Sequence, residues 1–256
     1  MRGVGVDIIG DIAVIEIPKG TNKKKAVENI LKNNHIKVVL EKISERKGKL
    51  RLYKLRHLAG EKRTKTIHTE SGVRFYVDVA KVYFSPRLSG ERLRVAQQVK
   101  ANESVLVMFS GAGPYVFVIA KMQPVLKEIY GVEINKHGTK NSVESLQLNK
   151  KMNNVHFING DAGKSVMKLK KKFDRIVMPA PHSAEKFLDV ALKSIKKGGI
   201  IHYYDFCALE DFPQKIIDKV MKACVKNKRK VKILNSVKCG QHSPGKYRIC
   251  IEFEVL

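Results

Sequence analysis

Two rhythms divide the chain. Up to about residue 87, short stretches alternate apolar and polar positions at the strand period of two. In this part IAVIEI (Ile12 to Ile17) predicts a strand ending at Pro18, and Thr21 is placed to cap a helix through about Asn33. IKVVLEKI, KLRLYKL, KTIHTE and VRFYVDV follow as strand segments, with Gly48, Gly60 and Gly72 as turn residues between them. The pattern predicts a small, basic α+β domain over residues 1–87.

From residue 88 to residue 256 the period changes. A helical stretch from Leu88 to Lys100 leads into strand SVLVMF, a helix after Pro114, strand LKEIYGVEI, a helix through Lys150 and strand VHFING. Another helix, strand FDRIVMPA, helix AEKFLDVALKSI, strand GGIIHYYDF and a helix through about Val225 continue the alternation. Strands alternating with helices over short connections imply a mostly parallel, doubly wound α/β sheet of the Rossmann-like kind. The end differs: VKILNSVKCG and KYRICIEFEV read as two strands around Ser243, Pro244 and Gly245, an antiparallel hairpin closing the sheet.

Charge narrows the choice of partner. Lys and Arg number 50 against 24 Asp and Glu, a net charge of +26. A field of that sign attracts polyanions, either nucleic acid or an anionic membrane, although lysine-rich surfaces also mark heat-adapted proteins. No stretch approaches the ~20 apolar residues of a bilayer crossing. The N-terminal MRGVGVDIIGDIAVIEIP, interrupted by Asp and Gly, lacks a signal-peptide layout. Nucleic acid is therefore the expected partner and the cytoplasm the expected location. None of Cys207, Cys224, Cys239 and Cys250 forms a C-x-x-C pair, which predicts reduced, mostly buried thiols. His68, His182 and His202 share no ligand spacing, so no metal is expected.

Three successive strand ends carry candidate chemistry. The first strand runs into MFSGAGPY, where Gly111 and Gly113 permit a tight turn and close approach of a ligand. Val116 stands where a dinucleotide fingerprint has its third glycine, so an ordinary strand-to-helix turn is the competing reading. The second strand ends in GVEIN and places Glu133 beside that loop, either to accept ribose hydroxyls or as a solvated loop acid. The third ends in NGDA, where Asp161 can take an adenine amino group or cap the next helix. Three such features at adjacent strand ends are more specific than any one.

Read together, DVAKVYFSPRLSGERLRVA, VLVMFSGAGPYVFVIAK, GVEIN, FDRIVMPAPHSAEKFLDVAL and GGIIHYYDF resemble the archaeal and eukaryotic tRNA (guanine-N1)-methyltransferases, which modify the guanosine 3′ of the anticodon. IIGDIAVIEIP and SPGKYR fit as well, so the resemblance covers nearly the whole chain. It implies a class I methyltransferase domain over 88–256 behind a tRNA-binding domain over 1–87, S-adenosylmethionine as cofactor, and a monomer that meets the anticodon stem-loop of tRNA. An extra N-terminal domain found in many members would precede Met1, so more of the docking is expected to fall on the stem-loop. For the cofactor the resemblance implies Phe109, Gly111, Gly113, Tyr115, Glu133, Ile134, Asp161, Ala162 and Pro179. For the substrate it implies Arg87, Arg92 and Pro181.

The reaction sets its own demands. Guanine N1 carries a proton at neutral pH, so methylation needs a base for that proton and a positive group for charge growing on O6. The resemblance assigns these roles to Glu91 and Arg51; read alone, Glu91 with Arg92 and Arg94 is also a plain surface helix pair. Two departures bear on the choice. Val107 stands where many class I methyltransferases have an acid, and Pro179-Ala180-Pro181 replaces an Asn-Pro-Pro type motif. A sister family transfers an aminocarboxypropyl group instead, and some relatives methylate a wybutosine intermediate at the same position. These activities, and a tRNA-binding protein without catalysis, are the alternative readings.

Overall fold

The computed structural model describes residues 4–46, 48–150, 152–181 and 183–256. The chain opens with β1 (Gly5–Ile9), β2 (Ile12–Glu16), α1 (Lys23–Leu31), β3 (Val38–Lys42) and β4 (Leu55–Gly60), a four-stranded sheet in the order β1-β2-β3-β4. β2 and β3 run parallel with α1 as their crossover. Both faces of β2 are buried, which its alternation explains: Ala13 and Ile15 meet Val27, Ile30 and Leu31 of α1, while Ile12 and Val14 turn into the main core. The helix cap is Asn22 rather than Thr21, its Oδ1 accepting from the Lys25 amide at 3.1 Å. GVDII is a strand that the pattern did not single out. KLRLYKL is not a strand up to Leu55: Gly48 (φ 70°) and Arg51 (φ 54°) curl it into a loop.

β5 (Lys65–Glu70) and β6 (Val73–Asp78) form a hairpin whose central residues, Ser71 and Gly72, both have positive φ, as a type I′ turn requires. A 3-10 turn (Pro86–Leu88) and α2 (Ser89–Ala96) lead to β7 (Ser104–Met108), α3 (Pro114–Met122), β8 (Glu128–Glu133), α4 (Lys136–Ser145), β9 (Val155–Asn159) and α5 (Ala162–Lys168). The chain ends with β10 (Phe173–Met178), α6 (Leu188–Ser194), β11 (Ile195–Ala208), α7 (Gln214–Lys226), β12 (Val231–Ser243) and β13 (Lys246–Val255).

The large sheet has the order β12-β13-β11-β10-β7-β8-β9, with β11 to β9 parallel and the β12–β13 hairpin antiparallel. Along β7, Val105 and Val107 pack with α2 and α3, whereas Leu106 and Met108 pack with α5, α6 and α7. Burial on both faces is why SVLVM is apolar throughout. The strand order reverses between β7 and β10, opening a crevice at their carboxyl ends where such sheets bind ligands.

Candidate active site

The crevice is a cleft of about 360 Å³, within the usual size of a small-molecule site. Its floor is the loop after β7. Phe109 (φ 59°), Gly111 (φ 60°) and Gly113 (φ 79°) all take left-handed backbone, a conformation costly for Phe109 and stored where the loop doubles back. Glu133, at the end of β8, holds this loop: one carboxylate oxygen accepts from the Gly111 amide at 2.8 Å and the other from the Asn135 amide at 2.7 Å. Burial nonetheless pushes the Glu133 carboxyl above its usual range. Its remaining lone pairs face a cleft walled by Phe109, Ile134, Ala162, Pro179 and Phe187. Asp161 caps α5 through the Lys164 amide and also lines the cleft.

An adenosine-bearing cofactor suits this donor set. The cleft offers apolar walls for a purine and two carboxylates for hydroxyl or amino donors. Ser110 adds a buried hydroxyl in the cleft with no partner among the described residues. Gly113 itself does not line the cleft. A Cβ there would come within 2.9 Å of the Phe157 ring, so this glycine serves packing.

Behind the cleft wall stands a chain of buried polar groups. Tyr115 lines the cleft and its hydroxyl bonds Tyr204 at 3.2 Å; Tyr204 donates to Glu91 at 2.5 Å. Both Glu91 oxygens also take the Arg94 guanidinium, at 2.7 and 2.8 Å. Arg94 reaches on to Glu252 at 2.5 Å, and Glu252 bonds His202 Nδ1 at 3.1 Å. Arg175, 1 % exposed, donates to His202 Nε2 at 2.8 Å and pairs with Glu103. A guanidinium can only donate, so Nε2 accepts and the imidazole proton sits on Nδ1, facing Glu252. Burial and Arg175 hold His202 below its usual pKa, while its bond to Glu252 opposes them.

The cleft opens into a wider groove of about 940 Å³ between the N-terminal sheet and the β12–β13 hairpin. Arg46, Arg51, Tyr83, His242 and Arg248 line both. Burial, with repulsion from Arg46 and Arg248 working against Tyr83, holds Arg51 below its usual pKa. Arg87 lies in the groove, its Nε donating to Asp7 at 2.8 Å.

Of the residues expected at the site, Arg51, Phe109, Gly111, Tyr115, Glu133, Ile134, Asp161, Ala162, Pro179 and Pro181 come together in one cleft. Besides Gly113, two more need correction. Arg92 touches the cleft wall but is 2 % exposed, and its guanidinium is taken by Glu70 at 2.5 Å and by the Ser85 carbonyl; it is a buried strut rather than a free substrate contact. Glu91 does not line the cleft in this conformation and lies one layer behind Tyr115, because α2 turns it toward Arg94 and Tyr204. His182 lies outside the described residues.

Residues 66–234 match the TRM5/TYW2 methyltransferase domain. The chain is 39 % identical over 254 residues to the Trm5b tRNA (guanine(37)-N(1))-methyltransferase of Pyrococcus abyssi, covering 97 % of this chain and 74 % of that one. This chain belongs to the TRM5/TYW2 methyltransferase family. Within the family it is 31 % identical over 301 residues to Taw22 of Nanoarchaeum equitans, a tRNA (guanine(37)-N(1))/4-demethylwyosine(37)-methyltransferase, covering 98 % of this chain and 99 % of that one. The solved complex of aTrm5 and tRNALeu matches with a TM-score of 0.85 at 35 % identity, over 98 % of this chain and 72 % of that one. Methanocaldococcus jannaschii TYW2 in complex with AdoMet matches with a TM-score of 0.74 at 26 % identity, over 98 % and 100 %.

Against the class I pattern, this TRM5/TYW2 member has Val107 fully buried in β7, so the position serves the core. His202, Cys250 and Glu252 bring ligand-type atoms within 4.8 Å of one another. Both nitrogens of that His are already engaged, however, by Arg175 and Glu252. The pattern analysis missed Arg46, Tyr83, Phe206, His242 and Arg248. Arg248 stood within the quoted SPGKYR, and Tyr83 within DVAKVYFSPRL; nothing local marks Arg46.

Proposed function

We propose that this chain is an S-adenosylmethionine-dependent methyltransferase that methylates N1 of the guanosine 3′ of the tRNA anticodon. The observation that carries the reading is 39 % identity over 97 % of this chain to a Trm5b enzyme, joined to a cleft with the donors an adenosine needs. When bound, the cofactor supplies the electrophilic methyl group, so the protein's task is orientation and electrostatics. Glu133 and the amides it fixes shape the cofactor end, and Asp161 faces it from the next strand end. Pro179 and Pro181 form a stiff wall for the target base. Arg51, drawn into the cleft by its left-handed turn, stands to receive charge growing on O6. Glu91 takes the N1 proton. Tyr204 and Arg94 hold its carboxylate behind the wall, and docking of the base brings donor and acceptor within reach, since catalytic hydrogen bonds often tighten only in the complex.

The reading includes a tRNA partner docked on the basic groove through its anticodon stem-loop. It also includes a monomer. No helix among the described residues is long and apolar enough to cross a membrane.

The test is incubation with S-adenosylmethionine and unmodified tRNA, followed by mapping of the product by mass spectrometry. A gain of about 14 Da on the guanosine 3′ of the anticodon is expected. A gain of about 101 Da would mark aminocarboxypropyl transfer, with the cofactor giving a different group. No gain at that nucleoside removes the reading.

A further inference from the structure

Three arginines meet at the mouth of the cleft with no internal counter-charge. Arg56, Arg63, Arg87, Arg92, Arg94 and Arg175 each have a carboxylate partner. Arg46, Arg51, Arg74, Arg229 and Arg248 make no ion pair among the described residues, and of these Arg46, Arg51 and Arg248 line the same junction. Like charges gathered this way repel, and such a cluster persists where an anion is to be bound.

The geometry around Tyr83 sharpens the point. The Arg46 guanidinium lies 4.1 Å from the Tyr83 ring centroid and 4.6 Å from that of Tyr53, a sandwich that fixes its plane. Its Nε is buried and has no hydrogen-bond partner among the described residues, so a donor in a fixed plane is left over. Arg248 donates to the Tyr83 hydroxyl at 3.3 Å. Although burial raises the Tyr83 phenol, Arg248 and Arg46 outweigh it and hold the group below its usual pKa. One guanidinium stacked on the Tyr83 ring and a second bonded to its hydroxyl bring two planar forks to one residue, and such forks suit the tetrahedral oxygens of a phosphodiester.

Two anions can be present at such a junction, the carboxylate of the cofactor's amino acid part and the RNA backbone. Arg46 and Arg248 line the wide groove as well as the cleft, whereas Glu133 and Asp161 line the cleft alone. The cluster therefore sits on the RNA side. Building on the function proposed above, we infer that Arg46, Arg248 and the Tyr83 hydroxyl cradle a phosphodiester adjoining the target guanosine. The clamp holds the strand while the base enters the cleft and Arg51 turns to the base itself.

The experiment uses the full chain, tRNA carrying a neutral methylphosphonate at either linkage flanking the target guanosine, and the variants Arg46→Gln, Arg248→Gln and their double. At one of the two linkages, wild-type affinity is expected to fall about tenfold, the lower end of a charge-assisted hydrogen bond. The double variant, already about tenfold weaker on ordinary tRNA, is expected to lose no more than twofold there. The slope of log K against log salt is expected to shrink by roughly 1. Affinity for S-adenosylmethionine is expected to stay within twofold. Equal weakening of wild type and variant at both linkages overturns the cradle. Loss of S-adenosylmethionine binding with unchanged tRNA binding overturns it in favour of the cofactor carboxylate. Wild-type methyl transfer to ordinary tRNA, measured alongside, separates failure of the cradle from failure of the functional reading. The wild-type comparison of the two linkages needs no variant to fold.

Discussion

The arginines behind the cleft and those at its mouth obey opposite rules. Arg92 and Arg175 are buried and Arg94 is partly buried, and each is matched to carboxylates: Glu70 for Arg92, Glu103 for Arg175, and Glu91 and Glu252 for Arg94. Arg46, Arg51 and Arg248 stand at the junction of cleft and groove with tyrosines and one another for company. A buried ion pair that loses one member leaves an uncompensated charge in a poor solvent. A cation without a partner in a wet groove instead keeps its water until an anion displaces it. The same residue type is thus locked into ion pairs in one place and left without a counter-charge in the other, and on the proposed function substitutions at the two places should fail in different ways.

The largest expected effect is on Glu91, which the inner set holds in position. Glu91→Gln keeps the shape and much of the hydrogen bonding but cannot take a proton. Single-turnover methylation should fall roughly 10²–10⁴-fold, the usual worth of a general base, with tRNA affinity almost unchanged. Near-normal turnover would remove Glu91 from the chemistry and leave it a structural member of the buried chain.

Next in size is the inner set itself. Arg92→Met leaves Glu70, whose side chain is 4 % exposed, with His68 in place of a full ion pair, and should cost about 3 kcal/mol in urea unfolding, the lower end for breaking a buried pair. If stability hardly moves, the interior pairs are not the struts described above. Arg51→Gln supplies the contrast from the mouth. Stability should stay within about 0.5 kcal/mol, as for substitutions away from packed features. Methyl transfer should fall roughly 10²–10³-fold, as when one donor to a developing oxyanion is lost. A variant that unfolds instead would erase the distinction between the two sets.

The smallest effect lies in acid. Despite its burial, bonds to His202, Arg94 and Gln98 hold Glu252 down at about 2. His202 is held below 6.5 mainly by burial. Both are depressed in the folded state, so each contributes stability that is complete above its unfolded value and is lost as pH falls toward the folded one. For His202 the loss begins near pH 6.5, and for Glu252 it runs from about 4.5 down to about 2. Between pH 7 and 5 the melting temperature should fall by about 2–4 °C, equivalent to ~1 kcal/mol for a chain of this size. His202→Gln should flatten that interval while leaving the steeper loss below pH 4.5. A wild-type melting temperature constant down to pH 5 would contradict a His202 held neutral in the folded chain.

Much of this architecture was legible along the chain, and the reason differs by region. The doubly wound part announces itself because β7, β8 and β10 are buried on both faces and the helices between them have short connections. The gathering of candidate residues at one cleft was legible because they follow strand ends in sequence: Phe109 and Gly111 after β7, Glu133 ending β8 and Asp161 after β9. The loop carrying Arg51 was misread as a strand, since alternation in LRLYKL satisfies the strand period while its turns depend on left-handed backbone at Gly48 and Arg51.

By itself, the amino-acid sequence determined the alternating elements, the positions of the strand-end acids and the excess of positive charge. Those properties are local or additive, and no folding is needed to count them. Only the tertiary structure decided which arginines are paired. Arg94 meets Glu252 across 158 positions and Arg248 meets Tyr83 across 165, and no short-range pattern encodes a contact closed by the β12–β13 hairpin returning beside β11. It also turned Glu91 inward and Arg51 toward the cleft. The direction of a side chain at a helix start or in a loop is set by what packs against it, and that is known only once the sheets are assembled.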